Sequence, residues 1–186
     1  MYYILQVAPV HTIFTSNTSS ILIKDIACVT NRKDRFGGLH FFFPLTFNKL
    51  LEVIHTEETS TVTFNKIKNF GDSLGKVCIK CKDTPGFIGN ALMIPNGIEA
   101  LRLLHNGVAS AKDIDKAMKV GYGYPVGPFE LFDTIGLETN LNILKVWSER
   151  NPSDDISPQI KILENLVTQG KLGMKSGEGF FMYSKL

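Results

Sequence analysis

The sequence predicts an α/β segment over residues 1–84 followed by an all-helical domain over 85–186. Three observations lead there. Short apolar runs alternate with helically spaced stretches as far as Lys82, the pattern of strand–helix units with a largely parallel sheet. After DTPGF (83–87) the spacing turns helical and stays so almost to the end. Finally, 44% apolar and 20% charged residues over 186 positions suit a globular chain with one large core or two small ones.

The elements follow in order. HTIFTS (11–16) reads as a strand ending in a polar turn. SSILIKDIACV (19–29) starts on serine and spaces Ile21, Ile26 and Val29 as a helix does. RFGGLHFFF (35–43) and NKLLEVI (48–54) read as strands, separated by Pro44, which a central strand tolerates poorly. TSTVTFNKIKNFGDSLG (59–75) is a helix with Phe64, Ile67 and Leu74 on one face and Gly75 as its stop. KVCIKC (76–81) is a strand. Helices are expected near 88–105, 110–120, 128–148 and 158–169, with one late strand in GFFMYS (179–184). His105-Asn106-Gly107 marks a helix end, and Ser110 with Asp113 marks the next start.

Composition excludes several functions. Net charge is +2 with the signs interspersed, so no basic stripe announces a nucleic-acid partner. No apolar run is long enough to span a bilayer. The apolar N-terminus is broken by Pro9 and shows neither the basic start of a signal peptide nor the Arg/Ser-rich character of a transit peptide. Three cysteines leave at least one unpaired, which points to a reducing compartment. Cys78 and Cys81 form a CxxC on a strand. Their odd spacing puts the sulfurs on opposite faces, so a buried Cys81 and a surface Cys78 are expected rather than a metal or redox pair. His11, His55 and His105 read as surface or capping residues.

No strand–GxGxxG–helix and no GxxxxGK[ST] occurs. GYGYPVG (121–127) follows a helix, which is the wrong context for a dinucleotide turn.

Four polar residues lie in or beside apolar segments: Ser19, His40, Glu52 and Asn90. An imidazole can take a proton, and a carboxylate on its far nitrogen fixes the tautomer. Two mechanisms fit. Ser19 is a nucleophile activated by His40, or His40 removes a hydroxyl proton while another group takes a hydride. The plain reading stands beside both: His40 as a satisfied core histidine, Ser19 and Asn90 as caps. SNTSS lacks the flanking glycines of a nucleophile elbow, which weakens the hydrolase reading.

SNTSS (16–20), GLHFF (38–42), KLLEVI (49–54), KDTPGFIGN (82–90), GYPVGPFELFD (123–133) and GKLGMKSGEGFF (170–181) together resemble the signatures of the L-3-hydroxyacyl-CoA dehydrogenase family of fatty-acid β-oxidation. The resemblance runs from about residue 5 to the C-terminus. It implies an α/β remnant, the C-terminal part of a Rossmann-type sheet (1–84), followed by an all-α dimerisation domain (85–186). The family's glycine-rich NAD turn would lie upstream.

Carried over by motif, His40 is the base that takes the 3-hydroxyl proton as hydride leaves for NAD, and Glu52 orients it. Ser19 binds substrate and lines the cofactor, Asn90 positions the substrate, and Lys175 lies near the nicotinamide. Two positions depart from the pattern. Phe43 stands where the family has an asparagine for the nicotinamide carboxamide, and Ala91 stands where it usually has arginine. The resemblance implies acyl-CoA as substrate, and a homodimer or a pairing with a full-length homologue through the helical domain. It implies the mitochondrial matrix, with the cytoplasm as the alternative. Weak or absent turnover is expected of this chain alone. A non-catalytic relative serving as a dimerisation module is the competing reading.

Overall fold

The computed structural model describes residues 4, 7–19 and 21–184; Ser20 of SNTSS lies outside them. The chain divides into two compact units, residues 1–91 and 92–186.

The first unit is a four-stranded sheet in the order β1 (Phe14–Ser16), β2 (Phe36–Phe41), β3 (Leu50–His55), β4 (Val77–Lys82). Two helices pack on it, α1 (Ile23–Ala27) and α2 (Thr61–Ser73). The sheet is mixed where a largely parallel one was expected: β1–β2 and β3–β4 are parallel, but β2–β3 is antiparallel. The link 42–49 is shorter than the dozen or more residues that a parallel crossover needs, so the chain must turn back.

Alternation along the strands sorts the side chains onto two faces. On one, Phe36, Ile54 and Cys81 pack with Ile23 and Ala27 of α1 and with Phe87. On the other, Leu39, Leu51 and Val53 pack with Ile67 of α2. Cys81 is buried as expected, on the face opposite Cys78; Cys78, expected at the surface, is half-buried against the α2-face core. Ser60 caps α2 through Thr63 N–H, and Leu74 is exposed rather than on its buried face. The expected serine start of α1 is not used. The helix begins at Ile23, and Asp83 receives the N–H groups of Ile23 and Lys24 at 2.8 Å each.

α3 (Gly89–His105) opens in the first unit, and most of its length belongs to the second. The second unit continues with α4 (Ala111–Tyr122), α5 (Pro128–Ile135), α6 (Leu137–Arg150) and α7 (Ser157–Thr168) around a core that includes Leu101, Phe129, Leu137, Ile156 and Leu163. Ser110 starts α4 as predicted, accepting from Asp113 N–H at 3.1 Å. The single helix expected over 128–148 is two. Gly136 has φ 98°, a conformation only glycine adopts cheaply, and the ladder breaks there.

The strand expected in GFFMYS is also absent. Only isolated bridges form there, because a side chain takes the backbone groups a ladder would need. Buried Asp133 accepts from the N–H of Phe180 at 2.9 Å and Phe181 at 3.0 Å, and from the Tyr183 hydroxyl at 2.9 Å.

Replacing Asp133 by Ala leaves three partly buried donors without their acceptor. We expect a loss of about 3 kcal/mol in unfolding free energy, read from the urea midpoint; an unchanged midpoint contradicts this account of the C-terminal segment.

Candidate active site

His40 and Glu52 face each other directly across the antiparallel β2–β3 pair. Both side chains point to the α1 face, the same face as Phe36, four positions from His40, and Ile54, two positions from Glu52. His40 Nδ1 lies 2.7 Å from Glu52 Oε2, with His40 5% exposed and Glu52 fully buried. The other carboxylate oxygen, Oε1, accepts from the backbone N–H of Ile88 at 3.0 Å and Gly89 at 2.8 Å.

That pair of amides is the start of α3. The helix has no acidic residue in its own first turn, so the strand supplies the anion that its N-terminus favours. Burial pushes the Glu52 carboxyl up. The His40 hydrogen bond and the two amide bonds outweigh that and hold it below the usual carboxylate range. An ionised carboxylate only accepts, so Nδ1 carries the proton. In the neutral ring Nε2 then keeps a free lone pair, and it has no hydrogen-bond partner among the described residues. The arrangement is a proton acceptor of fixed tautomer.

The three phenylalanines after His40 have three different surroundings. Phe41 packs on the α2 face. Phe42 turns its ring onto the imidazole, 4.6 Å between centroids. Phe43 is 84% exposed, in a loop held by Lys76 Nζ on the carbonyls of Leu45 and Asn48. Phe87 covers the imidazole at 5.4 Å.

Ser19 sits in an exposed bend just past β1. Because β1 and β2 run parallel with Ser16 opposite Gly38, this bend lies at the His40 end of β2. Asn17 fixes it there, its Oδ1 accepting from Phe41 N–H at 2.9 Å. Asn90 is the second residue of α3, half-buried and next to the amide that Glu52 binds. Lys175 belongs to the second unit, where its ammonium pairs with Glu138; Ala91 is half-buried in the first turn of α3. The sequence reading missed Asn17 and the capping role of Glu52. The first had a local signal, an Asx residue at a strand end; the second joins residues 36 positions apart and had none.

Two family models match. One described as 3-hydroxyacyl-CoA dehydrogenase, NAD binding domain, covers residues 2–84, and one described as the C-terminal domain of the same enzyme covers 86–183. The chain is 54% identical over 173 residues to the mitochondrial hydroxyacyl-coenzyme A dehydrogenase of Rattus norvegicus and 51% identical to that of Homo sapiens, each match covering 93% of this chain and 55% of the relative. It thus spans about half the length of these curated relatives. Among solved structures, (S)-3-hydroxybutyryl-CoA dehydrogenase PaaH1 from Ralstonia eutropha superposes with a TM-score of 0.88 at 38% identity, covering 99% of this chain and 65% of that one.

The depressed Glu52 carboxyl fixes the sign of a pH effect. Its folded pKa lies below its unfolded value, so it stabilises the fold above the unfolded pKa. That contribution fades as pH falls through the folded pKa. We expect the stability gap between the wild type and Glu52→Gln to be full above about pH 5 and to shrink on acidification below the ordinary glutamate value of about 4.3. Chemical denaturation across this range measures it; a constant gap contradicts the assignment.

Proposed function

The chain belongs to the 3-hydroxyacyl-CoA dehydrogenase family, and from that premise we propose that it carries the proton-transfer half of the oxidation of an L-3-hydroxyacyl-CoA to its 3-oxo form. The observation that supports this most is the free Nε2 of His40 behind a Glu52 that is fully buried and held by three hydrogen bonds. In the oxidising direction His40 Nε2 would take the 3-hydroxyl proton while the C3 hydrogen left as hydride to a nicotinamide acceptor supplied from solution, which leaves the C3 carbonyl. Glu52 steadies the resulting imidazolium without taking the proton itself. Ser19 and Asn90 are the groups assigned to hold the hydroxyl and the acyl portion.

The hydride acceptor of the family is NAD, but the residues present here do not fit its pyrophosphate. A dinucleotide site offers free backbone N–H groups at a helix start. In this chain the N-terminus of α1 is filled by Asp83, that of α2 by Ser60 and that of α3 by Glu52. Two of these three groups are carboxylates, which repel phosphate. Lys175 is engaged by Glu138, and the exposed Phe43 offers no hydrogen-bonding group. NADH would therefore serve this chain only as a weakly held hydride donor supplied in excess. The relatives' mitochondrial location and an acyl-CoA substrate complete this reading; no helix among the described residues is long and apolar enough to cross a membrane.

The same filled helix starts favour a second reading, a non-catalytic relative whose helical unit pairs with itself or with a full-length homologue. Reduction of acetoacetyl-CoA at high NADH separates the two. On the first reading the chain turns over slowly, and His40→Gln lowers the rate by about 10²–10⁴-fold. Equal rates for wild type and His40→Gln overturn it. Absence of turnover, with self-association in analytical ultracentrifugation, supports the second.

A further inference from the structure

We propose that Phe42 and Gly89 form a matched pair that aims the His40 imidazole, making both positioning residues for the proton acceptor. Three things border this ring. Glu52 fixes Nδ1 in the plane at 2.7 Å, Phe87 lies 5.4 Å away, and Phe42 meets it edge-on at 4.6 Å, with 62° between the planes. One hydrogen bond leaves a ring free to rock about that bond; aromatic walls remove the freedom.

Phe87 is built into the turn after β4, with its N–H on Thr84 O at 3.0 Å, and it is buried in the α1-face core. Phe42 has no such anchorage. It is half-buried at the mouth of the loop 42–49 and reaches the imidazole only because Gly89 has no side chain. A Cβ on Gly89 would stand 2.7 Å from Cζ and 2.9 Å from Cε1 of Phe42, closer than real Cβ atoms come. The φ of Gly89 is not in the left-handed region, so backbone conformation does not demand a glycine there; the neighbouring ring does. The same Cβ would lie 3.6 Å from Glu52 Oε1, ordinary contact, so the collision is with Phe42 and not with the cap.

A methyl group at 89 therefore displaces Phe42 and loosens the imidazole while leaving the Glu52 bonds to the helix in place. This inference rests on His40 being the base. Its test reads the ring itself, so it can fail while the base assignment stands, and the reverse.

The experiment is NMR of the 186-residue chain with labelled histidine, following solvent exchange of the His40 Nδ1 proton in wild type, Gly89→Ala, Phe42→Leu and the double variant. Backbone amide exchange in β2 and β3 serves as the control for general loosening. We expect each single variant to speed ring-proton exchange by about tenfold with sheet amides unchanged. The double variant should match Phe42→Leu alone, because both changes act through one ring. Unchanged ring exchange in Phe42→Leu overturns the proposal even if Gly89→Ala fails to fold. Additive effects in the double variant, or a parallel rise in the sheet amides, overturn it as well.

Discussion

Everything at the candidate site hangs on one buried carboxylate with three donors. Glu52 has no solvent contact, and an ionised group so placed is costly unless its lone pairs are filled. They are filled by an imidazole from the neighbouring strand and two amides at a helix start. Charge-assisted bonds of this kind are short and strong. The consequence is structural and chemical at once. The same charge ties β2, β3 and the start of α3 together, and it decides which nitrogen of His40 bears the proton.

That double duty explains the local sequence. Glu52 must fall opposite His40, so β2 cannot slip by one residue on β3 without turning His40 to the α2 face, away from Glu52. The turn after β4 must bring Ile88 and Gly89 back over the sheet, and DTPGF supplies it: Gly86 and Phe87 both take positive φ, 75° and 50°. A positive φ at a phenylalanine is uncommon, and here it points the ring into the core beneath the imidazole. The carboxylates that complete the fold at Asp83 and Glu52 occupy the helix starts where a phosphate would otherwise be drawn.

Much of this was legible in the residues. Short apolar runs located β2, β3 and β4, helical spacing located α2, and a serine start located α4, because these depend on near neighbours. His40 and Glu52 stood out as polar groups inside apolar runs. The residues alone left them open between a core pair and an acid–base pair; the sharper reading came from resemblance. Two of the failures depended on distant partners. The α1 start was misassigned to serine because Asp83, some sixty positions on, outcompetes the local hydroxyl. The late strand dissolved because Asp133 captures its amides from another helix. The antiparallel turn between β2 and β3 could have been deduced, since the link is too short to cross over. The exposure of Phe43 could not, because it depends on a loop pinned from outside by Lys76.

The central claim is that Glu52, held ionised, keeps the proton of the neutral His40 ring on Nδ1 and leaves Nε2 free to accept. Two-bond ¹H–¹⁵N correlation spectra of the histidine rings, taken at a pH where this imidazole is neutral, report the tautomer directly. The account predicts a protonated Nδ1 in the wild type and, in Glu52→Gln, whose amide can donate to Nδ1, a proton moved to Nε2. A wild-type ring protonated on Nε2, or a variant with the wild-type pattern, contradicts it.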